Sequence, residues 1–313
     1  MKVLVTGGSG YVAGHAILDL KAHGYQVATT VRNLAKTATL KSYLGDDVTF
    51  FAADLMHETG WGEAMADVDA IFHIASPLGH EDSNDEQLIV QAVSGVENVF
   101  NAAAKAGVKR IVMTSSQAAS TPLHGVKNKQ LDESLWSDES NPALNAYRLS
   151  KLKAERRAWE LAKELELDLT TILPGAIFGP VLSESAKSSV SLIERMAKGG
   201  FVPKISAEIS DVRDVAVLHR LALENDLSIG QRYIEKSSDL TFKEISQILG
   251  ARSYEIPDWV IKLAARRMPG LNALIPMLGR ESSHTSLNAQ KELNWQPISA
   301  VDTILDTQIS LNI

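Results

Sequence analysis

The stretch VLVTGGSGYVAGH, from Val3 to His15, joins an apolar run to a helical segment through three glycines. Val3, Leu4 and Val5 read as a buried strand, and the spacing from Tyr11 onward reads as a helix. Glycines at 7, 8 and 10 permit a tight turn and a close approach of backbone to a ligand. The N–H groups opening the next helix face the same space, which suits a pyrophosphate. Two registers fit, Gly7-x-x-Gly10-x-x-Ala13 and Gly8-x-Gly10-x-x-Ala13. Both put alanine where a third glycine is commonest.

Outward from this loop, short apolar runs alternate with amphipathic segments. KVLVT, QVATTV, DVTFFAAD, DAIFHIAS, KRIVMTSS and LDLTTILPG read as six strands, mostly buried on both faces. Between them lie YVAGHAILDLKAHG, LAKTATLKSYLG, the segment from Trp61 to Met65, and DEQLIVQAVSGVENVFNAAAKAG. This alternation predicts an α/β fold, a Rossmann-type doubly wound parallel sheet with helices on both faces. After about Leu173 strands become few, so residues 176–313 are read mainly as a smaller helix-rich, substrate-binding part beside a nucleotide-binding region 1–175. Some later segments are allowed to cross back.

The second strand has no acid at its end. An NAD site ordinarily places Asp or Glu there for the ribose 2′-hydroxyl, yet none occurs between Asp19 and Asp46. Arg32 stands at that position and Lys36 follows one turn later. A guanidinium fork matches a 2′-phosphate that a carboxylate would repel. NADP(H) is the cofactor this pattern favours, against the plainer reading of two solvated cations.

KRIVMTSS closes the fifth strand with Ser115 and Ser116, at the sheet edge where open α/β sheets bind ligands. Later, NAYRLSKLKAERRAWELAKE reads as a strong helix whose Tyr147 and Lys151, four apart, share one face. A phenol titrates near pH 10, and an adjacent ammonium brings it toward the working range for proton transfer. A nearby serine hydroxyl can hold a carbonyl beside that phenol. Tyr147 and Lys151, with Ser115 or Ser116, are therefore the candidate catalytic group.

The chain has 313 residues, a net charge of -7, no cysteine and eight histidines without metal-ligand spacing. Nothing here marks a nucleic-acid surface, a membrane span, a disulfide or a metal site. Met1-Lys2 runs straight into the first strand, so no targeting segment is expected and the location is read as cytoplasmic. His73 is read as packed or cofactor-lining, and His219 receives no role. LDESLWSDES and KELEL are read as solvated charged faces, and GRESSHTS as a polar loop.

Taken together, TGGSGYVAG, TSS and YRLSK resemble the extended short-chain dehydrogenase/reductases, within the NAD(P)-dependent epimerase/dehydratase superfamily. AADL, HIASP, LPGAIFGP, DVRDVA and LNAQKELNWQP agree, so the resemblance spans nearly the whole chain. Ala13, TTVRN and HIASP look most like its dihydroflavonol-reductase-like branch, which includes aldehyde and ketone reductases. The resemblance implies that Tyr147 is the general acid, that Lys151 lowers its pKa and binds the nicotinamide ribose, and that Ser116 polarises the carbonyl. It further implies that Gly7, Gly10, Tyr11 and Val12 face the pyrophosphate, with Arg32 and Lys36 at the 2′-phosphate. Asp54 and Leu55 would flank adenine, Ala75 and Ser76 the ribose, and Thr114 with Pro174, Ala176 and Ile177 the nicotinamide. LPGAIF departs from the family's Asn-Pro opening, so Leu173 and Gly175 carry no assigned contact.

The expected activity is NADPH-dependent reduction of an aldehyde or ketone, reversible as alcohol oxidation. A nucleotide-sugar epimerase or dehydratase is the alternative enzyme, and an NADP-sensing regulator the non-enzymatic one. Specificity is expected in SPLGHEDSND, QAASTPLHGVKNKQ and FGPVLSESAKSS, where Leu78, Leu123, Val181 and Leu182 either form an apolar wall or simply pack the loops. The expected partner is a small carbonyl or alcohol substrate, without nucleic acid or membrane, in a monomer or homodimer.

Overall fold

Val3 and Val5 belong to one buried cluster and Leu4 to another, so the first strand is sealed on both faces. That is why its sequence is continuously apolar rather than alternating. A computed structural model describes residues 1–77, 86–123, 126, 129–183 and 187–313. Its central sheet contains β1 (Lys2–Val5), β2 (Gln26–Val31), β3 (Thr49–Ala52), β4 (Ala70–His73), β5 (Arg110–Thr114), β6 (Asp168–Pro174) and β7 (Arg232–Glu235). The spatial order is β3-β2-β1-β4-β5-β6-β7, with every pair parallel. The chain winds outward from β1 to β3, then crosses back to β4. The crevice at the carboxyl ends of β1 and β4 is therefore the ligand-binding position of a doubly wound sheet.

Helices Tyr11–Ala22 and Val212–Glu224 cover one face, burying Ile17, Leu20, Leu218 and Ala222 with Phe72, Ile172 and Trp295. Helices Glu86–Ala106 and Ala146–Glu164 cover the other, where Val96, Val99, Phe100, Ala154 and Ala158 meet Ile71, Ile111 and Leu169. The six strands expected from sequence form the sheet, and β7 joins them from far along the chain. Its RYIE sequence lacks an apolar run, and tertiary contacts supply what the pattern does not. The Arg232 guanidinium pairs with Glu155 at 2.9 Å, donates to the carbonyls of Glu133 and Leu135, and lies 3.7 Å over the Trp136 ring.

Strands Ala176–Phe178, Ser206–Asp211 and Asp239–Thr241 form a second, three-stranded sheet. Phe178, Ile193, Ile209, Ile245 and Ile304 bury a separate core around it. The solvated reading of LDESLWSDES fails at two of its polar positions. Glu133 and Ser137 are buried: Glu133 accepts from the backbone N–H of Ile234 at 3.1 Å and from Asn288 Nδ2 at 2.7 Å. Local charge density cannot reveal acceptors needed by donors a hundred residues away.

Candidate active site

The glycine loop packs directly against the end of β4. Gly7 has φ +76°, and a Cβ there would come within 2.9 Å of the Ala75 Cβ, so a side chain meets both strain and collision. Gly10 caps helix Tyr11–Ala22, whose first turn carries no acid. Its open N–H groups and the positive end of its dipole are thus available to an anion. Tyr11 donates to the Gly179 carbonyl at 2.7 Å and His15 to the Pro180 carbonyl at 2.9 Å, tying the helix to the segment after Phe178. Burial raises the Tyr11 pKa, so its phenol stays neutral.

Thr6 organises the crossing from β4. Its hydroxyl oxygen accepts from the N–H groups of Ile74 (3.0 Å) and Ala75 (2.9 Å), so its own proton goes to His73 Nδ1 at 3.2 Å. Burial, then the nearby Lys151 charge, brings the His73 pKa down to about 3. His73 is a neutral packed group. Leu55, Ala75, Ser76, Thr114 and Lys151 border one small cavity with it. Asp54 accepts from the Met56 N–H at 2.9 Å, holding its own turn. Val12 sits half-buried in the first turn of its helix. Arg32 is exposed at the end of β2, and Lys36 ends the short turn Leu34–Lys36, its side chain outside the described residues.

The two serines after β5 have opposite roles. Ser115 is buried and donates to Glu155 Oε2 at 2.6 Å, so its proton is committed to the Glu155–Arg232 pair. Ser116 accepts from the Ala118 N–H at 3.1 Å, which leaves its own hydroxyl proton free to be donated. Asn145 caps helix Ala146–Glu164 by accepting from the Arg148 N–H, and this fixes Tyr147 in the first turn. Lys151 Nζ lies 5.7 Å from the Tyr147 ring centre, and burial brings its pKa down to about 8. Thr114 does not stand free. Its hydroxyl donates to His219 Nε2 at 2.8 Å, because His219 Nδ1 is spent on the Val215 carbonyl at 2.7 Å. Burial lowers His219 to about 4, so the role sequence did not assign is that of a neutral acceptor.

Ser116 and Tyr147 both line a cavity of about 500 Å³. Pro174, Gly175 and Ala176 line it too; Ile177 is not among its described lining residues. Gly175 is sterically required, since a Cβ would fall 2.3 Å from the Glu208 carbonyl oxygen. Leu173 is fully buried in β6. Of the four leucines and valines considered for an apolar wall, Leu78 lies outside the described residues. Leu123, Val181 and Leu182 are not among the cavity's described lining, which mixes polar and apolar surface about equally. Ser282, Ser283 and His284 of GRESSHTS are part of it. The sequence reading missed them, because their partners lie on distant strands. Burial alone would raise Glu208, but its hydrogen bond to His284 at 2.7 Å and the charges of His284, Arg280 and Lys236 hold it down to about 2.

The chain belongs to the NAD dependent epimerase/dehydratase family, whose model matches residues 3–233. Cinnamoyl-CoA reductase 1 of Petunia hybrida is 35% identical over 268 residues, covering 82% of this chain and 78% of that protein. An anthocyanidin reductase of Vitis vinifera is 33% identical over 279 residues, covering 81% and 82%. In fold the chain is similar to the yeast methylglyoxal/isovaleraldehyde reductase Gre2 solved with NADPH, with TM-score 0.81 at 23% identity and 99% and 98% coverage. Among the described residues no helix is long and apolar enough to cross a membrane.

Proposed function

We propose that this chain is an NADP(H)-dependent reductase that converts an aldehyde or ketone to an alcohol. The observation that carries the reading is the cavity lined by both Ser116, with an uncommitted proton, and Tyr147, whose ring centre is 5.7 Å from buried Lys151. Relatives bearing the names cinnamoyl-CoA reductase and anthocyanidin reductase support it. The loop fits a dinucleotide: the Gly7 side has no room for a Cβ, the helix N-terminus is free of acids, and Arg32 stands exposed at the strand end. Gly7, Gly10, Tyr11 and Val12 would hold the pyrophosphate through backbone groups. Arg32 and Lys36 would take the 2′-phosphate, Asp54 and Leu55 the adenine, and Ala75, Ser76, Thr114, Pro174, Ala176 and Ile177 the ribose and nicotinamide.

When bound, the nicotinamide supplies the hydride. Ser116 donates a hydrogen bond to the substrate carbonyl oxygen and fixes its position. Tyr147 then delivers a proton to that oxygen as negative charge develops there. The Lys151 ammonium stabilises the phenolate left behind. The test is NADPH and NADH consumption across a panel of aldehydes and ketones. NADPH turnover with at least one carbonyl is expected. Turnover of a nucleotide sugar without net cofactor change, and no carbonyl reduction, would replace this reading with an epimerase.

A further inference from the structure

The cavity that Ser116 and Tyr147 line also has apolar and ionic lining. Ala118, Pro174, Ala176 and Met277 are its apolar residues and suit an apolar body. Glu208, Asp239 and Arg280 line it as well, and the two acids are engaged. Glu208 accepts from His284 through Nδ1 at 2.7 Å and the backbone N–H at 3.1 Å. Asp239 accepts from Lys236 at 2.8 Å and from Ser283 at 2.6 Å.

Arg280 is less well served. Its Nε reaches Ser282 Oγ only at 3.4 Å, and its Nη2 is buried without a hydrogen-bond acceptor among the described residues. The Glu208 Oε1 atom lies 3.9 Å from Nη2, close enough for attraction and too far for a hydrogen bond. A desolvated guanidinium nitrogen with no acceptor is costly. A guanidinium's planar fork matches a carboxylate better than any other common group. Arg148 lines the same cavity but is engaged, its Nη1 donating to Thr121 Oγ1 at 3.1 Å.

We propose that Arg280 is a specificity-determining residue and that the substrate is an aldehyde or ketone that also bears a carboxylate. This rests on the reductase reading above. The reacting oxygen lies with Ser116 and Tyr147, the apolar body with Met277, and the carboxylate on Arg280. A cavity of about 500 Å³ accommodates a ligand of that size.

Two measurements test it. The first compares kcat/KM for 4-carboxybenzaldehyde and its methyl ester with saturating NADPH. The acid is expected to be the better substrate, and Arg280→Gln to lower the acid-to-ester ratio about ten- to a hundredfold. Arg280→Lys, which keeps the charge without the fork, should recover part of the ratio. A ratio at or below one in the unmodified protein, or one unchanged by Arg280→Gln, overturns the proposal.

The second measures calorimetric binding of 4-(hydroxymethyl)benzoate, which requires no turnover. Binding lost in Arg280→Gln and partly regained in Arg280→Lys supports the carboxylate site, and equal binding in all three proteins overturns it. If this binding depends on Arg280 while no carbonyl is reduced, the reductase reading fails and the anion site stands.

Discussion

The inner end of the site, where Lys151 borders a small cavity, and the outer end, where Glu208 lines the larger one, handle charge in opposite ways. At the inner end, Lys151 is buried with no ion-pair partner among the described residues, and burial brings it down to about 8. At the outer end Glu208 has a donor: it is held down to about 2 by the hydrogen bond and charge of His284, which outweigh its burial. A group poised near the working pH is suited to helping protons move. A group locked in its charged form holds geometry instead. Just behind the inner end, the Glu155–Arg232 pair follows the outer rule, and Ser115 is spent on it.

The largest effect should come from the inner end. Tyr147→Phe keeps the ring but removes the proposed proton donor, so kcat should fall by about 10²–10⁴. NADPH affinity, measured by fluorescence titration, should change little. Near-normal turnover would make the Tyr147 and Lys151 pair structural and erase the contrast.

Next comes Arg232→Met, which leaves the Glu155 carboxylate buried and without its partner. Breaking a buried pair in this way costs about 3–5 kcal/mol, to be read from denaturant unfolding. A loss below 1 kcal/mol would mean that the pair behaves like a surface one.

The outer end predicts a smaller, pH-dependent loss. The Glu208 pKa is depressed in the folded state, so its stabilisation is full above the ordinary carboxylate range. It is lost as pH falls toward about 2. One such group contributes a slope of at most about 1.4 kcal/mol per pH unit. Unfolding curves at pH 5, 4 and 3 should show that slope, and Glu208→Gln should flatten it. Equal slopes in both proteins would remove Glu208 as the cause. The smallest effect is expected at Arg32→Asp, which should erase an NADPH preference of about tenfold, one charge-assisted contact's worth. Equal use of NADPH and NADH by the unmodified protein would show that no such preference exists.

What sequence made legible was local. The glycine loop and the four-residue spacing of Tyr147 and Lys151 are written within one turn or one helix. Choosing between Ser115 and Ser116 could be done only by family likeness, because the physical reason is Glu155, 40 residues away. GRESSHTS looked featureless, since His284 finds Glu208 across 76 residues. Strand β7 escaped for the same reason: its polar residues are buried by partners that no periodicity encodes. The six earlier strands were visible because burial on both faces demands apolar runs.

The place of β7 beside β6 has a consequence for how the chain is made. Until residues 232–235 exist, β6 is an edge with unpaired backbone groups, the kind of surface that invites association with other chains. Synthesis at about 5–20 residues per second puts roughly three seconds or more between the two strands. Trp295, buried on the face shared with Val3 and Phe72, arrives later still. The first strands to emerge therefore wait for some of the last segments before their sheet is closed, and a nascent chain halted between β6 and β7 exposes that edge.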